Sequence, residues 1–237
     1  TPDDEISALS AMLQCLYTLN MAAVADAYAV RLTTLLYERG DTVKALETFN
    51  TAFAQHPQGA LLYLHAGELM RKLDRLPDAV RCFEQALQFD PWNAVVHNNL
   101  GNVCKQLGRL PEAAQAFRKA LQIRPDFLEF KNNLAVVLQE LGKFEDSLVL
   151  LREMLAERAD YKSAWLNCGS AQMQLLRYQE AEHSYQRALA IDPDYVEARF
   201  NLGMCQLTQG KALAGYHNYE ARYQRTAPLA VITAPPV

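Results

Sequence analysis

Proline residues return at a fixed interval along most of this chain. Pro57, Pro91 and Pro125 are 34 residues apart, and Pro193 follows after twice that interval. The midpoint of the longer gap is Ala159, in a segment that matches the ends of its neighbours except for the lost proline. A fixed period of about 20 to 50 residues is the signature of a chain built by stacking one structural unit. The period therefore limits the possible folds more than any other feature of the sequence.

Small and large apolar residues recur with the same step of 34 residues. The small ones stand at Ala45, Ala79, Ala113, Ser147, Ala181 and Gly215. Four residues after each comes a large one, at Phe49, Phe83, Phe117, Leu151, Tyr185 and Tyr219. A further small column upstream consists of Gly67, Gly101, Gly169 and Gly203, with Thr33 and Ala135 in the same positions of two other repeats. A spacing of four places the first two columns on one helical face.

Each repeat predicts a pair of helices, for example over about 60–73 and 77–90. The turn between two paired helices is short, as at Gly108 to Pro111, where glycine ends one helix and proline opens the next. A single pair cannot bury its own apolar face, so neighbouring pairs must stack to build a core. The sequence therefore predicts an all-α solenoid.

These columns resemble the tetratricopeptide repeat (TPR), whose signature is a bulky residue, Leu-Gly, an aromatic, Ala, an aromatic, Ala and Pro. The resemblance implies a right-handed superhelix of antiparallel helix pairs, running over residues 26–227. We place repeats at 26–59, 60–93, 94–127, 128–161 and 162–195, with a degenerate one at 196–229. Residues 1–25 are expected to form a capping helix or a decayed repeat.

In a solenoid of this type the first helix of each pair lines the concave groove. One position of that helix holds Asn99, Asn133, Asn167 and Asn201, which we call the asparagine column. Asparagine is a mediocre helix former, so its recurrence needs a reason. The column either holds the stack together or binds the backbone of an extended peptide, as in the similar asparagine ladder of O-linked N-acetylglucosamine transferases. Each amide has both donors and acceptors for such bonds.

Other polar residues are expected to flank the column in the groove. They are His65, Glu68, Arg71, Asn98, Asn102, Lys105, Asn132 and Gln139. This set is mixed in charge. It lacks the Lys and Arg pattern of the two-carboxylate clamp in chaperone-binding TPR domains, because Leu64 and Glu68 or Ser163 and Asn167 stand in the comparable places.

The sequence favours a chain that is not itself an enzyme. Its five histidines are scattered, no HExxH or phosphate-binding glycine loop is present, and we expect neither a metal nor a cofactor. A net charge of −4 gives no basic field for nucleic acid, and no apolar run is long enough to span a membrane. Five widely spaced cysteines fit reduced thiols and a cytoplasmic location. His97 is attributed to packing, and Trp92 and Trp165 form no stacking platform for nucleic acid.

The last repeat departs from the others. The segment from Gly215 to Tyr223 resembles the terminal repeat of bacterial TPR proteins that continue into a glycosyltransferase-like domain, although a Tyr-rich helix also suits a cap. The Pro-rich residues 228–237 are expected to form an extended linker. These features, with the missing initiator Met, suggest an excised part of a longer protein.

The leading hypothesis is a scaffold that binds a protein or peptide client in the concave groove. One alternative is the non-catalytic, client-recruiting arm of a larger bacterial glycosyltransferase. The other is self-assembly into a homodimer through Tyr216, Tyr219 and Tyr223 on the last helix.

Overall fold

The computed structural model describes residues 2–220, which form thirteen α-helices and no strands. The helices are α1 Pro2–Thr18, α2 Ala22–Glu38, α3 Thr42–Gln55, α4 Ala60–Lys72, α5 Leu76–Phe89, α6 Ala94–Gln106, α7 Leu110–Ile123, α8 Leu128–Glu140, α9 Phe144–Glu157, α10 Lys162–Gln174, α11 Tyr178–Ile191, α12 Val196–Thr208 and α13 Ala212–Tyr219. They fall into two compact units, Thr1–Asp126 and Phe127–Val237. The predicted all-α fold of TPR type is confirmed. The predicted linker 228–237 and the end of the sixth repeat lie outside the described residues.

The helices keep the 34-residue step. The first helices α4, α6, α8, α10 and α12 begin at Ala60, Ala94, Leu128, Lys162 and Val196. The second helices follow the same interval from α3 to α13. Only α2 is out of step, because it begins at Ala22 and not near residue 26. The segment before residue 26 is Ala-Ala-Val-Ala and contains no proline or glycine, so nothing stops the helix from extending backwards by one turn.

The turn inside each helix pair has one residue in the left-handed region. Gly40, Gly108, Gly142 and Gly210 have φ between +73° and +85° there. Asp74 and Leu176 occupy the same turn position with φ of 57° and 60°. Glycine suits this conformation because it has no Cβ to clash with the following carbonyl. The two exceptions show that packing of the flanking helices, and not the turn residue alone, sets the turn.

The upstream glycines let the two helices of a pair approach closely. A Cβ added to Gly101 of α6 would lie 2.7 Å from the ring of Phe117 in α7, and one added to Gly169 of α10 would lie 2.4 Å from Tyr185 in α11. Both rings are buried. The large column therefore packs directly against the upstream glycine column of the same helix pair.

The first helices of each unit form a row. In the first unit α2 contacts α4 and α4 contacts α6, while α3 and α5 each pack between successive first helices. In the second unit α8 contacts α10 and α10 contacts α12, with α9 and α11 placed in the same way. Residues on the exposed side of a row are thus brought together. Among the described helices, none combines the length and the apolar character needed to cross a membrane.

Candidate functional site

In the first unit, three of the predicted groove residues form one hydrogen-bonded cluster. Asn99 of α6 donates from Nδ2 to Glu68 Oε1 of α4 at 3.1 Å. His65, one turn earlier on α4, donates from Nδ1 to Glu68 Oε2, also at 3.1 Å. The bond from His65 is the largest cause of a lowered pKa at Glu68, and the bond from Asn99 and the charge of Lys72 act in the same direction. Glu68 is therefore ionised at neutral pH and fixes one donor of Asn99.

The flanking residues of the first unit do not all face outward. Asn102 and Lys105 are half-buried and Arg71 is exposed. Asn98, however, is only 5 % exposed and lies in the packed interior. Successive helical residues are rotated by about 100°, so the neighbour of an outward-facing Asn99 turns towards the partner helix. The part of Asn98 in binding stays a prediction.

A small crevice beside Glu68 contains residues that the sequence reading missed. Its volume is about 40 Å³, and its walls include Thr34 and Tyr37 of α2 and Lys72 of α4. The Nζ atom of Lys72 lies 5.5 Å from the centre of the Tyr37 ring. Lys72 stands four residues after Glu68, a spacing that makes two helical residues neighbours. From this spacing the sequence could have predicted Lys72 as a member of the cluster.

In the second unit, the asparagine column is joined to its flanking residues. Asn167 of α10 donates from Nδ2 to Asn132 Oδ1 of α8 at 2.9 Å. Gln139 of α8 donates from Nε2 to the main-chain oxygen of Asn167 and to Ser147 Oγ of α9, each at 3.0 Å. Gln139 thus bonds to both α9 and α10 and helps to hold these helices together. Asn133 and Asn201 are half-buried on α8 and α12.

Two further histidines, His56 and His97, and three buried cysteines, Cys104, Cys168 and Cys205, are packing residues. His97 is buried and donates from Nε2 to the carbonyl of Pro91 at 3.0 Å, and burial lowers its pKa. His56 pairs with the buried Asp26 at 2.7 Å, and burial raises the pKa of that carboxyl. Burial also raises the pKa of the Cys168 thiol to about 12. In the described part of the chain, no three His, Cys, Asp or Glu residues are grouped to hold a metal ion.

The last helix only partly matches the proposed self-assembly surface. Tyr216 is 64 % exposed, in agreement with that prediction. Tyr219 instead stacks on Phe200 of α12, with 5.3 Å between the ring centres, and is half-buried. Because the Tyr219 ring packs on α12, it is not an exposed contact surface. Tyr223 lies outside the described residues.

Family models match along most of the central and later repeats. Two models described as "Tetratricopeptide repeat" match residues 94–127 with 163–195 and residues 184–214. A third with that description matches 128–159, and one described as "TPR repeat" matches 67–108. Together these matches cover more than half of the chain. No curated protein matches this sequence.

Solved structures share the fold at low sequence identity. The chain is 22 % identical to PilW, described as a widely conserved type IV pilus biogenesis factor, over 85 % of this chain and 93 % of that one, with a TM-score of 0.72. It is 18 % identical to PilF of Pseudomonas aeruginosa over 86 % and 92 % of the two chains, with a TM-score of 0.70. YrrB, described as a TPR protein with an unusual peptide-binding site, is 20 % identical over 74 % and 91 %, with a TM-score of 0.60.

These comparisons do not support the predicted resemblance to a glycosyltransferase TPR region, which rests on the asparagine column and the C-terminal sequence motif. They do agree with the observed helix pairs, with their 34-residue step and with the packing of glycine against aromatic rings. The chain therefore belongs to the tetratricopeptide repeat family.

Proposed function

We propose that this chain is a protein-interaction module that holds an extended segment of a partner polypeptide against its first helices. The observation that carries this proposal is the fixing of the column amides by their neighbours. Glu68 holds Asn99 in the first unit, and Asn132 holds Asn167 in the second. A side chain that is already held loses less conformational entropy when a ligand binds.

The amides retain capacity for a ligand. An asparagine side chain has two N–H donors and two lone pairs on its oxygen, and each bond described above uses one of these four positions. A peptide group has the complementary donor and acceptor whatever side chain it carries. The column is therefore suited to bind main chain, with little dependence on the partner's sequence.

The spacing of the column suits an extended chain. Asn133, Asn167 and Asn201 lie on α8, α10 and α12, which are neighbours in the row of first helices. Packed helices lie about 8–10 Å apart. An extended polypeptide advances about 3.3 Å per residue, so successive amides would meet about every third peptide group.

The known relatives support interaction with proteins in general. YrrB is described as having a peptide-binding site and PilW as a pilus biogenesis factor. The first unit adds a fixed negative charge at Glu68, which favours a basic residue of the partner near Asn99.

Backbone recognition is tested with methylated peptides. A random peptide library is passed over the immobilised chain, and a retained peptide is resynthesised with single N-methyl groups along its backbone. Each methyl removes one N–H donor and leaves the side chain unchanged. We expect affinity to fall at about every third position. If binding followed the side chains and ignored the methyl groups, backbone recognition would be refuted.

A further inference from the structure

A crevice lies at the corner where α5 ends, α6 begins and α7 ends, all within the first unit. Its volume is about 390 Å³. It is lined by Leu87, Pro91, Trp92, His97, Lys119, Gln122 and Ile123. Trp92 is 78 % exposed, although a large aromatic side chain normally gains by burial. Neither the asparagine column nor its flanking residues take part in this corner.

The preceding repeat fills the same corner with its own side chains. Phe53, Tyr63 and Phe89 stand 34 residues before Leu87, His97 and Ile123. The ring centres of Phe53 and Tyr63 lie 4.5 Å apart, and those of Tyr63 and Phe89 lie 5.8 Å apart. This continuous aromatic stack leaves the preceding corner packed.

The second unit fills its equivalent corner in another way. Trp165 occupies the position of His97, and Arg187 occupies that of Lys119. The guanidinium carbon of Arg187 lies 5.3 Å from the centre of the Trp165 ring. In the first unit the smaller imidazole of His97 replaces these large rings, so its corner is left open.

The crevice contains one positive charge among apolar walls. His97 is neutral there, because burial lowers its pKa and outweighs the opposite effect of the bond from Nε2–H to the carbonyl of Pro91. Lys119 is the one charged residue of the lining, and within residues 2–220 it has no ion pair of 4.0 Å or less. Asp90, which also acts on the pKa of His97, is outside the lining and accepts a bond from Asn93 at 2.9 Å.

A smaller pocket of about 150 Å³ adjoins the crevice at Leu87, His97 and Lys119. Its lining includes the carboxylates of Glu84 and Glu112. Glu112 is bonded to Arg109, with 2.8 Å between Oε1 and Nε. The carboxylates of Glu84 and Glu112 thus line only the smaller pocket, on one side of Lys119. On the other side, towards Trp92, the walls of the crevice are mostly apolar, and Lys119 is their one charged residue.

We propose that this crevice binds the carboxy-terminal residue of a partner polypeptide, with a large apolar side chain against Trp92, Leu87 and Ile123 and its α-carboxylate on Lys119. If the apolar residue lay inside an extended chain, an acidic residue next to it in the sequence would not reach Lys119. Successive side chains of an extended chain point to opposite faces, so its carboxylate would point away from the crevice. Only a terminal residue has an apolar side chain and a carboxylate on the same Cα. The volume is at the low end of the range for small-ligand sites, about 300–1,000 Å³, and suits one such residue.

The test uses acetyl-Ala-Ala-Phe as the free acid and as the carboxy-terminal amide. Binding is followed by NMR through the indole N–H signal of Trp92, assigned with a Trp92→Phe variant. The free acid is expected to bind about fivefold more tightly than the amide, as one solvent-exposed ion pair allows. Equal affinities of the acid and the amide would overturn the proposal.

Two variants locate the site. Later repeats have aspartate at the position of Trp92, namely Asp126, Asp160 and Asp194, so the Trp92→Asp variant should fold normally. Because this variant lacks the indole signal, its binding is measured by calorimetry. Lys119→Gln should lower the affinity for the acid to that for the amide. Arg118→Gln is the matched control, because Arg118 is exposed on the same helix and does not line the crevice. Unchanged binding in Trp92→Asp, or an equal loss in Arg118→Gln, would overturn the proposal.

Discussion

Asn99 donates its side-chain amide to Glu68 across two neighbouring helices, with 3.1 Å between Nδ2 and Oε1. This contact links a column that repeats along the chain to a charged residue that is found in one repeat only. It makes the first unit's part of the column both fixed and negatively charged.

The Glu68 contact predicts a pH-dependent contribution to stability. The folded state lowers the pKa of Glu68 from its ordinary value of 4.5, chiefly through the bond from His65. Its contribution is therefore present above about pH 4.5 and is lost as the pH falls through the lower, folded-state pKa. In urea unfolding, the stability advantage of the wild type over Glu68→Gln should shrink between about pH 6 and pH 3. The exposed Glu47, replaced in the same way, should show no such trend. A constant difference across this range would count against the ionised cluster.

Leu176 is a candidate for a stabilising substitution. It has φ of 60° and is 69 % exposed, while four other turns have glycine at the same position. A left-handed conformation costs a non-glycine residue about 1–2 kcal/mol, and glycine loses about 0.5–1 kcal/mol of backbone entropy in exchange. Leu176→Gly should therefore raise the free energy of unfolding by about 0.5–1 kcal/mol in urea titrations. The reverse control, Gly142→Ala, should be destabilised. A loss of stability in Leu176→Gly would contradict the account of the turns.

Gly101 is required for the close packing of α6 on α7. A methyl group there would lie 2.7 Å from the buried ring of Phe117. Gly101→Ala should cost about 1–3 kcal/mol in equilibrium unfolding, in spite of alanine's better helix propensity. Combination with Phe117→Leu should cost less than the sum of the two single changes, because the smaller side chain makes room for the methyl. Strict additivity would show that the two sites are not in contact.

Trp165 and Trp92 should differ sharply when each is replaced by phenylalanine. The Trp165 indole donates from Nε1 to the carbonyl of Ala159 at 2.8 Å, where Ala159 stands in the place of the repeat-ending proline. Trp165→Phe removes this bond and should cost about 1 kcal/mol. Trp92→Phe should leave the stability unchanged, because Trp92 is 78 % exposed. Thermal melts of the two variants give the comparison, and a loss of equal size in both would contradict it.

The sequence predicted the fold because the same constraint recurs many times. Each glycine of the upstream column needs a large partner in the next helix, and this demand repeats at a step that only stacked helix pairs satisfy. The early start of α2 at Ala22 was not predicted, because the columns that define a repeat lie inside the helices and leave their ends free.

The candidate site was less predictable, because it depends on side-chain directions between helices. The bonds of Asn99 to Glu68 and of Asn167 to Asn132 join different repeats, and no periodicity specifies which partner each amide selects. The burial of Asn98 and the stacking of Tyr219 on Phe200 likewise depend on small helix rotations. The Trp92 crevice depends on which side chains fill each corner between helices, and the 34-residue period does not specify them.

The central claim, that the asparagine column binds main chain, is tested most directly by calorimetric titration of one library-selected peptide into the wild type and into Asn133→Ala/Asn167→Ala. Asn50→Ala, on the exposed side of a second helix, is the matched control. Loss of two hydrogen bonds of about 1 kcal/mol each predicts an affinity at least about tenfold lower in the double variant, with the helicity and the melting temperature nearly unchanged. An unaltered affinity in a folded double variant would contradict the claim, and a collapse of the fold would assign the column to holding the stack.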